Sequence, residues 1–250
     1  MAMVLAASPS GLLLPGIVRA ASPAVLQYPD NLFGYWGFDP DCVDFAAGKA
    51  LDLSQNFNHG TLNNLAASTM VDGQVGSALN FNGSSSYISV AGSGFPAIST
   101  ICFWVNFNSI GAGENSMMFE RDDDNSNWGI SLEMNASNPR MSHVNGAGSS
   151  GNTISSTALV SGIWYHLTLS WDGVSMVLYI NGQKDMSQGT VGGTMRGPGT
   201  QYTFGGLGLT GGRYFSGKMD DVRIYSRALD AAEIGALYHA GLNGSREIRL

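Results

Sequence analysis

The sequence predicts an all-β protein in which two antiparallel sheets form a β-sandwich or jelly roll, with one short C-terminal helix. From Leu32 onward, short apolar runs are separated by turn signals about every ten residues, a spacing typical of such folds. Two of these signals, Asp172-Gly173 and Asn181-Gly182, are dipeptides that favour β-hairpins. Helical signals are confined to one stretch near the C-terminus.

The strands are predicted from apolar and aromatic runs that alternate with period two. In the run from Thr100 to Phe107, every second residue is apolar, which places those side chains on one face of a strand. The predicted strands, in chain order, are Leu32–Phe38, Ala78–Phe81, Tyr87–Val90, Thr100–Phe107, Met117–Glu120, Trp128–Met134, Trp164–Trp171, Met176–Ile180, Tyr202–Phe204 and Met219–Tyr225.

The predicted helix runs from Asp230 to about Ala240. Asp230 is a favourable N-cap residue, and Glu233 three positions later completes a capping box. Leu229 before the cap and Ile234 inside the helix can form a hydrophobic staple. We expect Gly241 to end the helix.

The chain divides into an N-terminal arm over residues 1–30, one sandwich domain over 31–243, and a tail over 244–250. The arm contains Pro9, Pro15 and Pro23 and has neither helical nor strand periodicity. A cleaved signal peptide is the alternative, but its positive n-region is missing, because the first basic residue, Arg19, follows the apolar run. We therefore expect a retained arm that docks on a partner.

Composition excludes several classes of function. Charged residues make up 12% of the chain, against roughly 25% in an average soluble protein. The net charge of −7 offers no basic stripe for nucleic-acid phosphates. No apolar run is long enough to span a membrane. The two cysteines, Cys42 and Cys102, leave two alternatives open: one disulfide or two buried thiols.

Several motifs, in order along the chain, resemble the laminin-G-like, concanavalin A-like lectin/glucanase jelly-roll family. They are Phe33–Asp39 (FGYWGFD), Asp52–Leu62 (DLSQNFNHGTL), Gly76–Gly83 with Tyr87–Val90, Trp164–Leu167 with Leu178–Gly182, and Gly217–Ile234, which contains DDVRIY. The resemblance covers most of the sandwich domain and implies a jelly roll. The chain departs from the family pattern at Gln55 and Phe57, where glycine is usual.

The resemblance also implies a structural calcium ion. Carried over onto this sequence, its ligands are Asp52, Asn58 and Asp220, and oxygen atoms of these types are what calcium binds. A simpler interpretation is that the Asx side chains of this loop cap their own backbone. An acidic stretch, Arg121–Asn125, is either a solvated loop or a second cation site.

Catalysis is not expected. Related glucanases carry two carboxylates on one strand in a Glu-x-Asp-x-x-Glu pattern, and glycoside hydrolysis needs such a pair. The nearest stretch here starts at Glu120 and ends in Asn125, and Glu133 is followed by Met134-Asn135. The four histidines are scattered and have no metal-ligand spacing.

We therefore expect a non-catalytic surface interaction protein. The aromatic residues that border loops, Trp128, Tyr202 and Tyr214, are the candidates for a ligand face such as one that binds glycans. The leading hypothesis is an oligomeric or lattice-bound component of an exterior assembly, such as a phage virion decoration protein, with the arm docked on a neighbour. The alternative is a secreted or cell-surface lectin-like adhesion module.

Overall fold

Two antiparallel β-sheets pack against each other across one apolar core. The computed structural model describes residues 31–91, 94–96, 99–110, 117–122, 128–144, 150–188, 201–207 and 212–244. This architecture confirms the predicted two-sheet antiparallel jelly roll with one short α-helix. The predicted arm, residues 1–30, lies outside the described residues, as do residues 245–250 of the tail.

The described residues form seventeen strands, one turn of 3₁₀-helix at Ala67–Thr69 and one α-helix, α1, at Ala231–Leu242. The strands are β1 (Leu32–Trp36), β2 (Val43–Asp44), β3 (Lys49–Ala50), β4 (Gly60–Asn63), β5 (Met70–Asp72), β6 (Ser77–Asn82), β7 (Tyr87–Ala91), β8 (Ser99–Phe107), β9 (Met117–Asp122), β10 (Trp128–Asn135), β11 (Asn138–Val144), β12 (Ser150–Ile154), β13 (Trp164–Trp171), β14 (Met176–Ile180), β15 (Gln183–Gln188), β16 (Gln201–Phe204) and β17 (Ser216–Tyr225). Across these residues, no helix is long and apolar enough to cross a membrane.

One sheet has eight strands and the other has nine. The eight-stranded sheet has the order β15-β14-β13-β8-β17-β6-β5, and β1 also pairs with β17. The nine-stranded sheet has the order β12-β11-β10-β9-β16-β7-β4-β3-β2. In the middle of both sheets, strands that are distant in sequence pair with each other, as in a jelly roll.

Strand β8 is buried along its whole length because both of its faces are covered. Ile101, Phe103, Val105 and Phe107 alternate into the core between the sheets, as predicted. Cys102, between them, faces the opposite side and packs in a second apolar cluster with residues of α1. The helix therefore packs on the outer face of the eight-stranded sheet. It does not cover the outer face of the nine-stranded sheet.

The start of α1 is as predicted, but its end is not. The Asp230 side chain accepts hydrogen bonds from the backbone N–H groups of Ala232 and Glu233, and the Glu233 side chain accepts from the Asp230 N–H. Gly241, however, does not end the helix, which runs on to Leu242. The glycine is needed because a Cβ at this position would lie 2.4 Å from Nε1 of Trp104, whose ring packs under the helix.

The predictions of strands and turns were most accurate where a strong turn signal stands next to an apolar run. Asn181 and Gly182 both have positive φ, 52° and 75°, which is the geometry of a two-residue type I′ hairpin. Asp172-Gly173 instead belongs to a four-residue connection between Trp171 and Met176.

Strands β2 to β5, β11, β12 and β15 were not predicted, because they are short or polar. Of the two alternatives for the cysteines, the structure has free, buried thiols.

Beneath α1, the DDVRIY segment holds a buried ion pair. Asp221, for which the sequence suggested no partner, accepts a 3.0 Å hydrogen bond from Arg223, and both side chains are buried. The Arg223 guanidinium also lies 4.6 Å from the centre of the Tyr35 ring. This ion pair therefore stabilises the fold.

The buried imidazole of His166 makes stability depend on pH. Burial, with a smaller contribution from the charge of Arg223, lowers the pKa of His166 to about 3. Below pH about 6.5 an unfolded histidine takes up a proton that the folded one does not. The contribution of His166 to stability is therefore complete above that pH and is lost as the pH falls towards 3. At pH 5 the loss amounts to about 2 kcal/mol.

We expect the variant His166→Phe to remove that part of the pH dependence. A phenylalanine ring keeps the packing against Trp104 and Tyr238, whose ring centroids lie 5.1 and 6.2 Å away. Urea unfolding of both proteins at pH 7.5 and pH 5 measures the effect. The acidic residues are the same in both proteins, so their titration cancels when the two losses of stability are compared. Equal losses of stability in the two proteins would contradict the assignment.

Candidate functional site

A row of polar side chains crosses the outer face of the nine-stranded sheet. In the strand register, Ser131 lies opposite both Ser142 and Glu120, and Thr203 lies opposite both Glu120 and Ser89. Directly opposed residues of antiparallel strands point to the same side. Since Ile130 and Leu132, the neighbours of Ser131, lie in the core, this polar row faces outward. We call Ser142, Ser131, Glu120, Thr203 and Ser89 the polar row.

One end of the polar row is buried and the other is accessible. Ser131, Glu120, Thr203 and Ser142 are all buried, whereas Ser89 is half-buried. Thr203 donates a hydrogen bond to the Gly206 carbonyl, but the Ser131 hydroxyl has no hydrogen-bond partner within the described residues. The accessible part of this face therefore begins at β7.

At the accessible end, two tyrosines form an aromatic pair. The ring centroids of Tyr87 and Tyr214 are 6.3 Å apart, the ring planes meet at 37°, and both side chains are half-buried. Gly206 lies under this pair, where a Cβ would come within 2.8 Å of the Tyr214 ring. The Asn63 side chain, beside Tyr87 in the register, donates a hydrogen bond to the Ser89 hydroxyl. We call Tyr87, Tyr214, Ser89 and Asn63 the tyrosine edge.

An ion-pair cluster fixes the loop that carries Tyr214. Glu133 is fully buried; its Oε1 is 2.7 Å from Arg140, and its Oε2 is 2.9 Å from Arg213. Arg213 has φ of 48°, a left-handed conformation that costs energy for any residue with a side chain. The charge-assisted bond to Glu133 offsets this cost, and Tyr214 follows directly. The cluster thus positions one ring of the tyrosine edge.

Glu133 therefore has a structural role. Both of its carboxylate oxygens accept hydrogen bonds from guanidinium groups. A general acid in glycoside hydrolysis must instead hold a proton that it can give to the leaving group. The carboxylate holds the tyrosine edge in place, which suits a binding face.

The residues implied as calcium ligands do not fit a calcium ion. The two carboxylate oxygens of Asp52 accept four hydrogen bonds, from the backbone N–H groups of Tyr35, Ser54 and Asn58 and from the Ser54 hydroxyl. The Asn58 side chain donates to the carbonyl of Phe33. The Asx side chains therefore organise their own loop, which was the alternative interpretation of the sequence.

Asp220 lies in a different environment from Asp52. It is fully buried, and its Oδ2 accepts a 2.8 Å hydrogen bond from the Val75 N–H. Burial, then the neighbouring charge of Asp221, raises the pKa of Asp220 well above its usual range, while nearby backbone N–H groups oppose that rise. Asp220 Oδ1 has no hydrogen-bond partner within the described residues. Within those residues, however, Asp220 shares no hydrogen-bond partner with Asp52 or Asn58, whose side chains are engaged in their own loop, so the three do not form one oxygen-rich calcium site.

Removing divalent ions should therefore leave stability unchanged. A calcium ion at a hundred times its Kd would add about 2.7 kcal/mol, which for a domain of this size would raise Tm by several degrees. We expect thermal melts in excess EDTA and in excess calcium chloride to coincide. A clear fall of Tm on chelation, restored by calcium, would show that an ion is bound.

One cluster of metal-ligand atoms was not expected from the sequence. Ligand atoms of Asp39, Asp41 and Cys42 all lie within 4.8 Å of one another. Burial, reinforced by Asp41, raises the pKa of the Cys42 thiol to about 12, and this thiol donates a hydrogen bond to Asp41. Asp39 accepts a hydrogen bond from the Ser77 N–H. Asp41 and Cys42 are thus hydrogen-bonded to each other, and Asp39 is hydrogen-bonded to the start of β6.

The three aromatic residues predicted for a ligand face have different positions. Tyr214 lies at the tyrosine edge, on a half-buried loop. Tyr202 is fully buried and packs against Phe33, Trp36, Phe95 and Phe204 in the core, so its ring cannot meet a ligand at the surface. The backbone of Trp128 begins β10 opposite Asp122, and its side chain lies outside the described part of the structure. Of the predicted acidic stretch, Arg121–Asn125, the backbone of residues 121 and 122 ends β9, and residues 123–125 lie outside the described part.

The sequence analysis did not identify Tyr87, Arg140 or Arg213, and it considered Glu133 only as a catalytic residue. Two signals could have pointed to Tyr87 and to the role of Glu133. In β7, Tyr87 and Ser89 alternate with the core residues Ile88 and Val90, which marks them as outward-facing. Glu133 lies between apolar Leu132 and Met134, and a charge within such a strand needs a partner. The partners come from β11 and a distant loop, and no local pattern reveals them.

A family model described as "Concanavalin A-like lectin/glucanases superfamily" (Laminin_G_3) matches residues 82–235. Among solved structures, the binding domain of Paraclostridial Mosquitocidal Protein 1 aligns with a TM-score of 0.69 and 22% identity, over 84% of this chain and 52% of that one. Domain 4 of AbnA, a GH43 extracellular arabinanase from Geobacillus stearothermophilus, in complex with arabinotriose, aligns with a TM-score of 0.64 and 24% identity, over 83% of this chain and 98% of that one.

The receptor-binding domain of botulinum neurotoxin type G also aligns, with a TM-score of 0.61 and 14% identity, over 84% of this chain and 51% of that one. The chain thus spans about half the length of the two toxin binding domains and nearly all of the arabinanase domain. A search of curated proteins found no match. At these identities the structural likeness establishes the fold.

Proposed function

We propose a function from one premise: the chain belongs to the concanavalin A-like lectin/glucanases superfamily. We infer that it is a non-catalytic carbohydrate-binding protein, and that it binds oligosaccharides at the tyrosine edge of the nine-stranded sheet. The observation that carries this proposal is the Tyr87–Tyr214 pair, whose rings are held together at the accessible end of an outward-facing polar row.

The chemistry of the tyrosine edge suits a sugar. A sugar ring has apolar C–H faces that stack on aromatic rings and a rim of hydroxyls that needs hydrogen-bond partners. Tyrosine offers both an apolar ring and a polar tip. Ser89 and Asn63 supply a hydroxyl and an amide beside the rings. The face therefore combines apolar surface with a few placed polar groups, as ligand sites generally do.

The similar structures support the proposal, because their names describe binding domains. Domain 4 of AbnA was solved in complex with arabinotriose, and the toxin relatives are binding or receptor-binding domains. Domains of this shape thus serve recognition in other proteins, and one of them holds a neutral oligosaccharide. The net charge of −7 also favours a neutral ligand over a polyanion.

We propose an extracellular or surface location on the same grounds. The earlier hypothesis of a phage virion component stays a prediction, as do oligomerisation and docking by the arm, because residues 1–30 lie outside the described residues. The tyrosine edge favours the alternative hypothesis from the sequence, which is a secreted or cell-surface lectin-like module.

Calorimetric titration tests the proposal. We expect wild-type protein to bind at least one neutral oligosaccharide from a panel of arabinotriose, xylotriose, cellotriose and laminaritriose. Tyr214→Ala should weaken that binding about tenfold, as expected for the loss of one aromatic contact at a hot spot. Tyr214→Phe, the matched control, keeps the ring and should bind within about threefold of wild type. Equal affinity of wild type and Tyr214→Ala would exclude the tyrosine edge as the site.

A further inference from the structure

Phe57, an exposed phenylalanine, has a strained backbone. Its side chain is 73% exposed, the largest fraction among the exposed large apolar residues that the structure describes. Its φ is 57°, in the left-handed region that favours glycine, and such a conformation is an outlier for a bulky residue. The chain therefore holds a large apolar ring in solvent on a backbone conformation that favours glycine.

The loop that carries Phe57 is rigidly held. Asp52, as described above, accepts four hydrogen bonds within and around the loop. The Asn56 side chain donates a 2.9 Å hydrogen bond to the Leu32 carbonyl, and the Asn58 side chain donates another to the Phe33 carbonyl. These bonds anchor the loop to β1 on both sides of Phe57. A preorganised loop lowers the entropic cost of binding through its ring.

A polar group suited to sugar hydroxyls, the imidazole of His59, lies beside the ring. The Nδ1 atom of His59 accepts a hydrogen bond from the Asp52 N–H, which fixes the neutral tautomer with its proton on Nε2. The imidazole is exposed, and its centroid is 6.2 Å from that of Phe57. Gln55, two positions before the ring, is exposed as well. An exposed apolar ring beside an N–H donor, with an exposed amide residue nearby in the chain, combines the apolar and polar groups that ligand sites use.

The position of the loop links it to the tyrosine edge. The loop runs directly into β4, and β4 pairs with β7, so that Thr61 lies opposite Ser89 and Asn63 lies opposite Tyr87. From Asn63 back to Gly60 is a rise of roughly 10 Å along the strand. Phe57 and His59 follow just beyond that end.

We infer that the loop Asp52–His59 is a second subsite for the same oligosaccharide, with Phe57 as the ring on which a sugar stacks. The inference takes its ligand class from the proposed function and adds a location outside the tyrosine edge. A protein-docking patch is the less favoured occupant, because such patches are contiguous and apolar, whereas the residues next to Phe57 in the loop are polar.

The variants Phe57→Ala and Phe57→Gly separate binding from folding. Both remove the ring, and we expect each to weaken binding of the best-binding oligosaccharide of the panel by about tenfold. Phe57→Gly also relieves the left-handed backbone, so its Tm should rise by about 2–4 °C, whereas the Tm of Phe57→Ala should stay near wild type. Lower affinity together with higher Tm cannot come from a damaged fold.

Val174→Ala is the control, since Val174 is also exposed but lies at a turn of the eight-stranded sheet, between β13 and β14. It should bind like wild type. If wild type binds and Tyr214→Ala weakens binding, but both Phe57 variants titrate like wild type, the inference is wrong and the proposed function stands. If wild type binds no oligosaccharide of the panel, both are wrong.

Discussion

Replacing Glu133 by alanine should reduce both stability and oligosaccharide affinity. The variant leaves Arg140 and Arg213 without the carboxylate they share, and their side chains are only 18% and 31% exposed. Breaking a buried ion pair costs about 3–5 kcal/mol, and this partial exposure reduces the expected loss to about 2–4 kcal/mol. The loop bearing Tyr214 also loses its anchor, so affinity should fall at least about tenfold.

Urea unfolding and oligosaccharide titration measure the two effects on the same preparations. Glu133→Gln is the matched control, because it keeps the shape and one acceptor oxygen while losing the charge. We expect its stability and affinity to lie between those of wild type and Glu133→Ala. If Glu133→Ala binds as tightly as wild type despite its lower stability, the ion-pair cluster has no part in positioning the tyrosine edge.

Arg223→Met should be among the most destabilising single changes in the protein. The arginine is almost fully buried, and its removal leaves the equally buried Asp221 carboxylate without its ion-pair partner beneath α1. Loss of one partner of such a pair costs about 3–5 kcal/mol, since the remaining charge stays out of water. The contact of the guanidinium with the Tyr35 ring is lost as well.

The double variant Asp221→Asn/Arg223→Met identifies the cause. Asparagine tolerates the left-handed backbone of residue 221, whose φ is 52°, and it carries no charge. If the uncompensated carboxylate is the problem, the double variant should recover a large part of the lost stability in urea unfolding. A double variant less stable than the single one would mean that packing around Arg223 dominates.

The sequence was sufficient to predict the parts of the fold that depend on neighbours along the chain. The alternation in β8, the Asn181-Gly182 turn and the capping box at Asp230 each rest on residues within a few positions of one another. Gly241 was wrongly assigned as a helix end because its real constraint, the Trp104 ring, comes from a strand far away in sequence. The rule that glycine ends a helix considers only neighbouring residues, so it cannot predict such a contact.

The candidate site was harder to predict for the same reason. Tyr214 was selected from its loop, but its partner Tyr87 and its anchor Glu133 come from other strands. Tyr202 was selected by the same rule and is wrong, because strand pairing with β7 and β9 turns its ring into the core. For Asp52, Asn58 and Asp220, the hydrogen-bond partners decide what each side chain can still bind, and those partners are set by the tertiary fold.

The most direct measurement of the central claim is a map of backbone amide shifts by NMR during titration with the best-binding oligosaccharide of the panel at millimolar concentration. We predict that shifts concentrate at Asn63, Tyr87, Ser89, Arg213 and Tyr214, with a smaller set in the loop Asp52–His59. No shifts at saturating ligand, or shifts confined to α1 and the eight-stranded sheet, would contradict a binding face at the tyrosine edge.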